Sequence, residues 1–160
     1  MSRTLRLAPM AVVIAVAIAG CGGSSSTSNT KAQLIAQADP ICKQVALKRA
    51  AANKAVEKVG SSTTKELQVL ARLAPAIATE EHAAVIQLHA LKAPTSLEAN
   101  WQQLLAGIGQ LADDTTEIAT HAKAKDLKGV ESVTRSGRKL REQLTAIAKR
   151  DGFTYCGVTS

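Results

Sequence analysis

Aromatic side chains are almost missing from this sequence: in 160 residues there is one Trp, one Tyr and one Phe, at Trp101, Tyr155 and Phe153. Platforms that stack bases need several flat rings, so no nucleic-acid partner is expected. The same shortage counts against a sugar-binding face. Alternating β-branched runs are also lacking, which leaves strands with little support. Common catalytic and metal-binding signatures are absent as well. No serine stands in a nucleophile elbow. Neither H-E-x-x-H nor a Cys/His zinc spacing occurs. The Glu-x-x-His pairs of di-iron bundles are missing too. No catalytic residue, metal ligand or diffusible cofactor is expected.

What is present begins with an address. Arg3 and Arg6 precede an apolar stretch from Met10 to Gly20, which ends in Ile18-Ala19-Gly20-Cys21. A signal-peptide core of roughly 7–15 apolar residues fits it, whereas a spanning helix needs about 20. The tetrapeptide resembles the lipobox of bacterial lipoproteins. That resemblance implies cleavage before Cys21 and a diacylglycerol or acyl lipid on its sulfur. Plain secretion after Ala17-Ile18-Ala19 is the alternative, and would leave Cys21 a free thiol. The chain has three cysteines, Cys21, Cys42 and Cys156. Lipidation of one leaves an even pair, as an exported protein favours. The expected location is extracytoplasmic, held by lipid at the outer face of the cell membrane. If the source has two membranes, Gly22 rather than Asp after the cysteine implies the outer one.

Residues 1–20 thus read as signal peptide, 21–30 as lipidated cysteine and tether, and 31–160 as one bundle domain. The nine residues from Gly22 to Thr30 are Gly, Ser, Thr and Asn. They have no apolar side chains to bury, and span roughly 15–18 Å as a coil.

The remainder is rich in alanine and falls into four amphipathic stretches. The first runs from about Lys31 to Val59, with Leu34, Ala38, Ile41, Val45, Ala52, Val56 and Val59 on one face and Lys48 interrupting. Asp39-Pro40 either kinks it or starts it, with Asp39 as cap. The second, from about Thr64 to Leu91, carries Leu67, Leu70, Ala74, Ile77, Ala84, Leu88 and Leu91, with Pro75 inside. Thr63 with Glu66, and Thr95 with Glu98, have capping-box spacing for the second and third helices. The third stripe is Leu97, Trp101, Leu104, Ile108, Leu111, Thr115, Ile118 and Ala122. The fourth, from about Lys125 to Arg150, is Leu127, Val130, Val133, Gly137, Leu140, Leu144 and Ile147, with Gly152 as stop. Short connections between such helices predict an all-α, up-down-up-down four-helix bundle.

In that topology the start of the first helix and the end of the last share one end. Cys42 lies about 16 Å along the first helix, and the tail from Gly152 can reach back about 13 Å to place Cys156 against it. A Cys42–Cys156 disulfide is therefore expected; two separate buried thiols are the alternative. The chain also resembles a loose group of small, alanine-rich bacterial lipoproteins, through Ala38-Asp39-Pro40-Ile41-Cys42 and Gly152-Phe153-Thr154-Tyr155-Cys156-Gly157. The resemblance implies a helical fold with paired cysteines and no activity.

Three further patterns have plain structural explanations. Gly107-Ile108-Gly109-Gln110-Leu111-Ala112 spells a dinucleotide loop, but it sits inside a helical stripe, where small residues mark a close helix crossing. Glu117 and His121 share a helix face, as do His82 and His89; structural histidines are the simpler reading. Asp113, Asp114 and Glu117 cluster, and read as a solvated face.

Charge is uneven. Residues 31–59 have six basic and two acidic groups, 95–121 have four acidic and no Lys or Arg, and 122–151 have nine basic and four acidic. First and last helices would be neighbours and form a basic flank. Lys128, Arg135, Arg138, Lys139 and Arg141 are its candidate contact surface, suited to anionic lipid, an envelope polymer or an envelope protein. The leading expectation is a non-enzymatic, lipid-anchored structural or interaction module. The other is a carrier of a small apolar or metal ligand between kinked helices. A sizeable apolar cavity separates the second from the first.

Overall fold

A computed structural model describes residues 29–157. The proposed signal peptide, Cys21 and most of the tether lie outside the described residues. Four antiparallel helices follow in order: α1 (Lys31–Glu57), α2 (Thr63–His89), α3 (Glu98–Lys123) and α4 (Leu127–Asp151). There is no strand among the described residues. The protein is an all-α, up-down-up-down four-helix bundle.

Helix ends follow local chemistry. Thr30 opens α1 with a capping box: its hydroxyl accepts from Gln33 N–H, and the Gln33 side chain accepts from Thr30 N–H. The capping boxes expected at Thr63/Glu66 and Thr95/Glu98 do not form. Ser62 and Leu97 occupy the N-cap positions of α2 and α3 without a side-chain bond, because both helices start elsewhere in the turn than the spacing suggests. Asp126 caps α4 instead, accepting from Gly129 N–H at 3.0 Å. That bond, with His121 Nδ1 at 2.9 Å, holds its carboxyl below the usual carboxylate range. Gly152 closes α4 in the left-handed region at φ 82°, as only glycine does readily.

Both prolines lie inside continuous helices. Asp39 therefore does not cap a new helix at Pro40. Its carboxylate reaches the C-terminal turn and accepts from the backbone N–H groups of Thr154 (2.9 Å), Tyr155 (3.0 Å) and Cys156 (3.4 Å). The tail is thereby laid against α1, and Cys42 and Cys156 form a disulfide across 114 residues with Cα atoms 5.0 Å apart. Phe153 stacks on Trp101 with ring centroids 5.6 Å apart.

The core is divided. At the disulfide end, Leu34, Ala38, Leu88, Trp101, Leu104 and Leu144 belong to one buried cluster. At the other end Leu67, Ala122 and Val130 form a smaller one, joined by Leu70, Ile118 and Leu127. No α1 residue takes part in the second cluster. Gly107 serves the close crossing expected of it: a Cβ there would collide with the buried Leu144 of α4. Gly109 has open space around it and needs no such account.

Packing runs α1 on α2, α2 on α3 and α3 on α4. The expected direct packing of α1 against α4 is the exception. These helices face each other, yet their backbones hardly approach, so the fourth seam of the bundle stays open. No helix among the described residues is long and apolar enough to cross a membrane.

Candidate functional site

The open seam is a groove of about 240 Å³. α1 supplies Val45, Ala46, Arg49 and Ala52; α2 supplies Ile77, Glu81 and Ala84; α3 supplies Ile108, Leu111 and Ile118. Arg141 enters from α4, and Tyr155 and Gly157 of the tail close the disulfide end. The walls are mostly aliphatic because the inward stripes of α1, α2 and α3 continue past the point where α4 covers them. Alanines at 46, 52 and 84 leave room that longer side chains would fill.

A polar layer crosses the middle of the groove, between the two apolar clusters. Glu81 is 97 % buried, being 3 % exposed. Its Oε1 accepts from Arg49 Nε, and Arg49 Nη2 lies 3.5 Å from the Leu111 carbonyl. Glu81 Oε2 has no donor. On the α4 side, buried Asp114 accepts from Gln110 Nε2 at 3.0 Å. Arg141 is half-buried, and its Nε is enclosed without an acceptor. Burial lowers the Arg141 pKa, and the positive charges of Arg49 and Arg138 lower it further, while Glu81 and Asp114 raise it. The neighbouring Lys48–Glu80 pair is about half exposed on both sides and is a surface contact.

The proposed basic surface divides on this evidence of burial. Lys128, Arg135, Arg138 and Lys139 are exposed on the outer side of α4. Arg141 is not with them. At about 100° per residue it turns toward the core stripe and lines the groove. Glu131 and Glu142 are exposed and fall within the same outer arc as the four cations.

The acidic cluster of α3 divides likewise. Asp113 and Glu117 are exposed, but Asp114 is buried, so it is not part of a solvated face. The Glu117–His121 edge does not form; His121 pairs with Asp126. His82 is exposed, 3.4 Å from the Thr116 hydroxyl, and His89 is also exposed. Among the described residues no group of three His, Cys, Asp or Glu side chains could hold a metal ion.

Glu81, Arg49 and Asp114 were not picked out from the sequence as site residues. A signal existed. Arg49 follows Lys48 where the α1 stripe breaks, and Glu81 occupies the missing step between Ile77 and Ala84 on α2. Two interruptions in adjacent apolar stripes, of opposite charge, mark a buried pair.

The chain matches no family model, no curated protein and no solved structure in comparisons with each.

Proposed function

We propose that this is a lipid-tethered protein of the cell envelope that binds a small apolar ligand in the α1–α4 groove, without chemistry. The groove carries this reading: a mostly aliphatic cleft of about 240 Å³ at the seam without helix–helix packing, whereas the depression of about 230 Å³ between α2 and α3 is lined largely by polar side chains such as Thr79, His82, Thr116 and Lys123. Such clefts, apolar with a few placed polar groups, are the usual form of a small-molecule site. The bundle-end disulfide supports it, since the tail it fixes forms one wall. An oxidising, extracytoplasmic setting favours that bond.

The interaction-module reading is less favoured. Glu131 and Glu142 interleave the four outer cations of α4 and dilute their field. A membrane surface or envelope partner met by that face remains a secondary contact in this proposal.

Two measurements test the proposal. A neutral naphthyl fluorophore, N-phenyl-1-naphthylamine, should bind the full-length chain at one site with enhanced emission. Ala46→Phe or Ala52→Phe should abolish this by filling the groove while leaving the helical circular dichroism unchanged. Absence of probe binding, or binding untouched by both fillings, would sink the groove reading. Separately, intact-mass analysis of the protein taken from cells should show an added lipid on Cys21 that Cys21→Ser removes. Absence of added lipid mass would contradict the lipid attachment.

A further inference from the structure

One of the groove's charged side chains, Arg141, has no bonded partner, and this bears on what the ligand carries. The argument rests on the groove-binding reading above. Arg49 and Glu81 close on each other across α1 and α2. Asp114 is held by Gln110 on its own helix. Arg141 forms no ion pair among the described residues, yet it lines the groove and has an enclosed Nε without an acceptor. Around it stand the guanidinium groups of Arg49 and Arg138 and the carboxylates of Glu81 and Asp114. Arg138 lies on the exposed outer side of α4, so at the groove two guanidinium groups meet two carboxylates; Glu81 is bonded to Arg49 and Asp114 to Gln110, and Arg141 alone is left without a bonded partner at a partly desolvated place. The lips of the groove are positive too. Residues 31–59 carry six basic against two acidic groups, and 122–151 nine against four. A field of this kind concentrates anions at a cleft.

We propose that the ligand is a single-chain amphiphile with one anionic head, a carboxylate or a phosphate monoester, whose head sits on Arg141 and whose chain lies over Val45, Ile77, Ile108 and Ile118. The head pairs with the Arg141 guanidinium through the nitrogens beyond the enclosed Nε, giving it the anionic partner it lacks in the protein; a charge-assisted bond to guanidinium is among the stronger polar contacts available. The aliphatic walls accept the chain through simple burial of apolar area. Glu81 Oε2, the other unpartnered atom among the side chains lining the groove, belongs to a carboxylate already neutralised by Arg49. It therefore does not serve as the partner of Arg141.

The test is displacement of N-phenyl-1-naphthylamine from the full-length Cys21→Ser chain, oxidised and below micellar concentrations. Decanoate, decyl phosphate, 1-decanol, decyltrimethylammonium and inorganic phosphate are compared. Decanoate and decyl phosphate should displace the probe at concentrations at least about tenfold lower than decanol. Arg141→Gln should bring that ratio close to one, while Arg135→Gln, exposed on the outer face of α4, should preserve it. Raising the salt concentration should narrow it. Inorganic phosphate should not displace, because the chain is required. Decanol competing as well as decanoate, or decyltrimethylammonium competing better, would overturn the anionic head and leave the groove reading intact. Displacement by inorganic phosphate would overturn the amphiphile. Failure of the probe itself to bind would instead defeat the groove reading. If Arg141→Gln does not fold, the ranking of the five compounds on the Cys21→Ser chain still decides.

Discussion

Reducing the Cys42–Cys156 bridge should lower the melting temperature of this protein by about 15 °C. The bridge spans 114 residues in sequence, and closing a loop of about 100 residues is worth up to about 4.7 kcal/mol in the chain-entropy model. For a domain of this size each kcal/mol moves the midpoint by about 4 °C. The effect is large because the bundle has little aromatic mass to compensate, and because the second apolar cluster has no contribution from α1. Asp39 holds the tail in the reduced chain through three backbone N–H groups, but these bonds are partly exposed and do not close a loop covalently. Thermal unfolding followed by circular dichroism, with and without reductant and in the Cys42→Ser/Cys156→Ser variant, measures the difference. A shift below about 3 °C in both would mean that the covalent closure contributes little.

Glu81→Ala should destabilise the protein by about 3–4 kcal/mol, whereas Glu80→Ala should fall within about 0.5 kcal/mol of the parent. The two glutamates are adjacent on α2, and each pairs with one of two adjacent cations on α1. What separates them is burial. Glu81 is 3 % exposed, and its loss strands the Arg49 guanidinium in a low-dielectric layer. Glu80 and Lys48 are about half in water, where screening leaves such a pair little net value. Urea unfolding of the two variants under the same conditions makes the comparison. Equal effects would show that the polar layer is not a buried element of the bundle.

Most of the fold was legible in the sequence because helical periodicity reports burial directly. The stripe from Trp101 to Ala122 is buried or half-buried throughout, as are the inward positions of α4 from Leu127 to Ile147. The helix limits fall within two or three residues of those expected. The pairing of Cys42 with Cys156 followed from topology and chain reach. Three things were not legible. Asp39 acts over more than 110 residues, on backbone groups whose placement depends on the closed bundle, so no local pattern announces it. Arg141 belongs by sequence to a basic run, and only the rotation of α4 turns it inward. The open seam is a property of helix spacing: alanine reads as inward whether it meets a neighbour or lines a cleft. Ala46 and Ala52 therefore look the same in either case.

The most direct test of the account is backbone amide NMR of the disulfide-bonded chain titrated with the neutral probe N-phenyl-1-naphthylamine. A ligand held in the α1–α4 seam should shift resonances from Val45 to Ala52, at Ile77, around Arg141 and at Tyr155 and Gly157. It should leave the outer face of α4 around Arg135 and Lys139 unmoved. Shifts concentrated on that outer face, or no shifts at saturating concentration, would contradict a binding groove and return the protein to a surface-contact role.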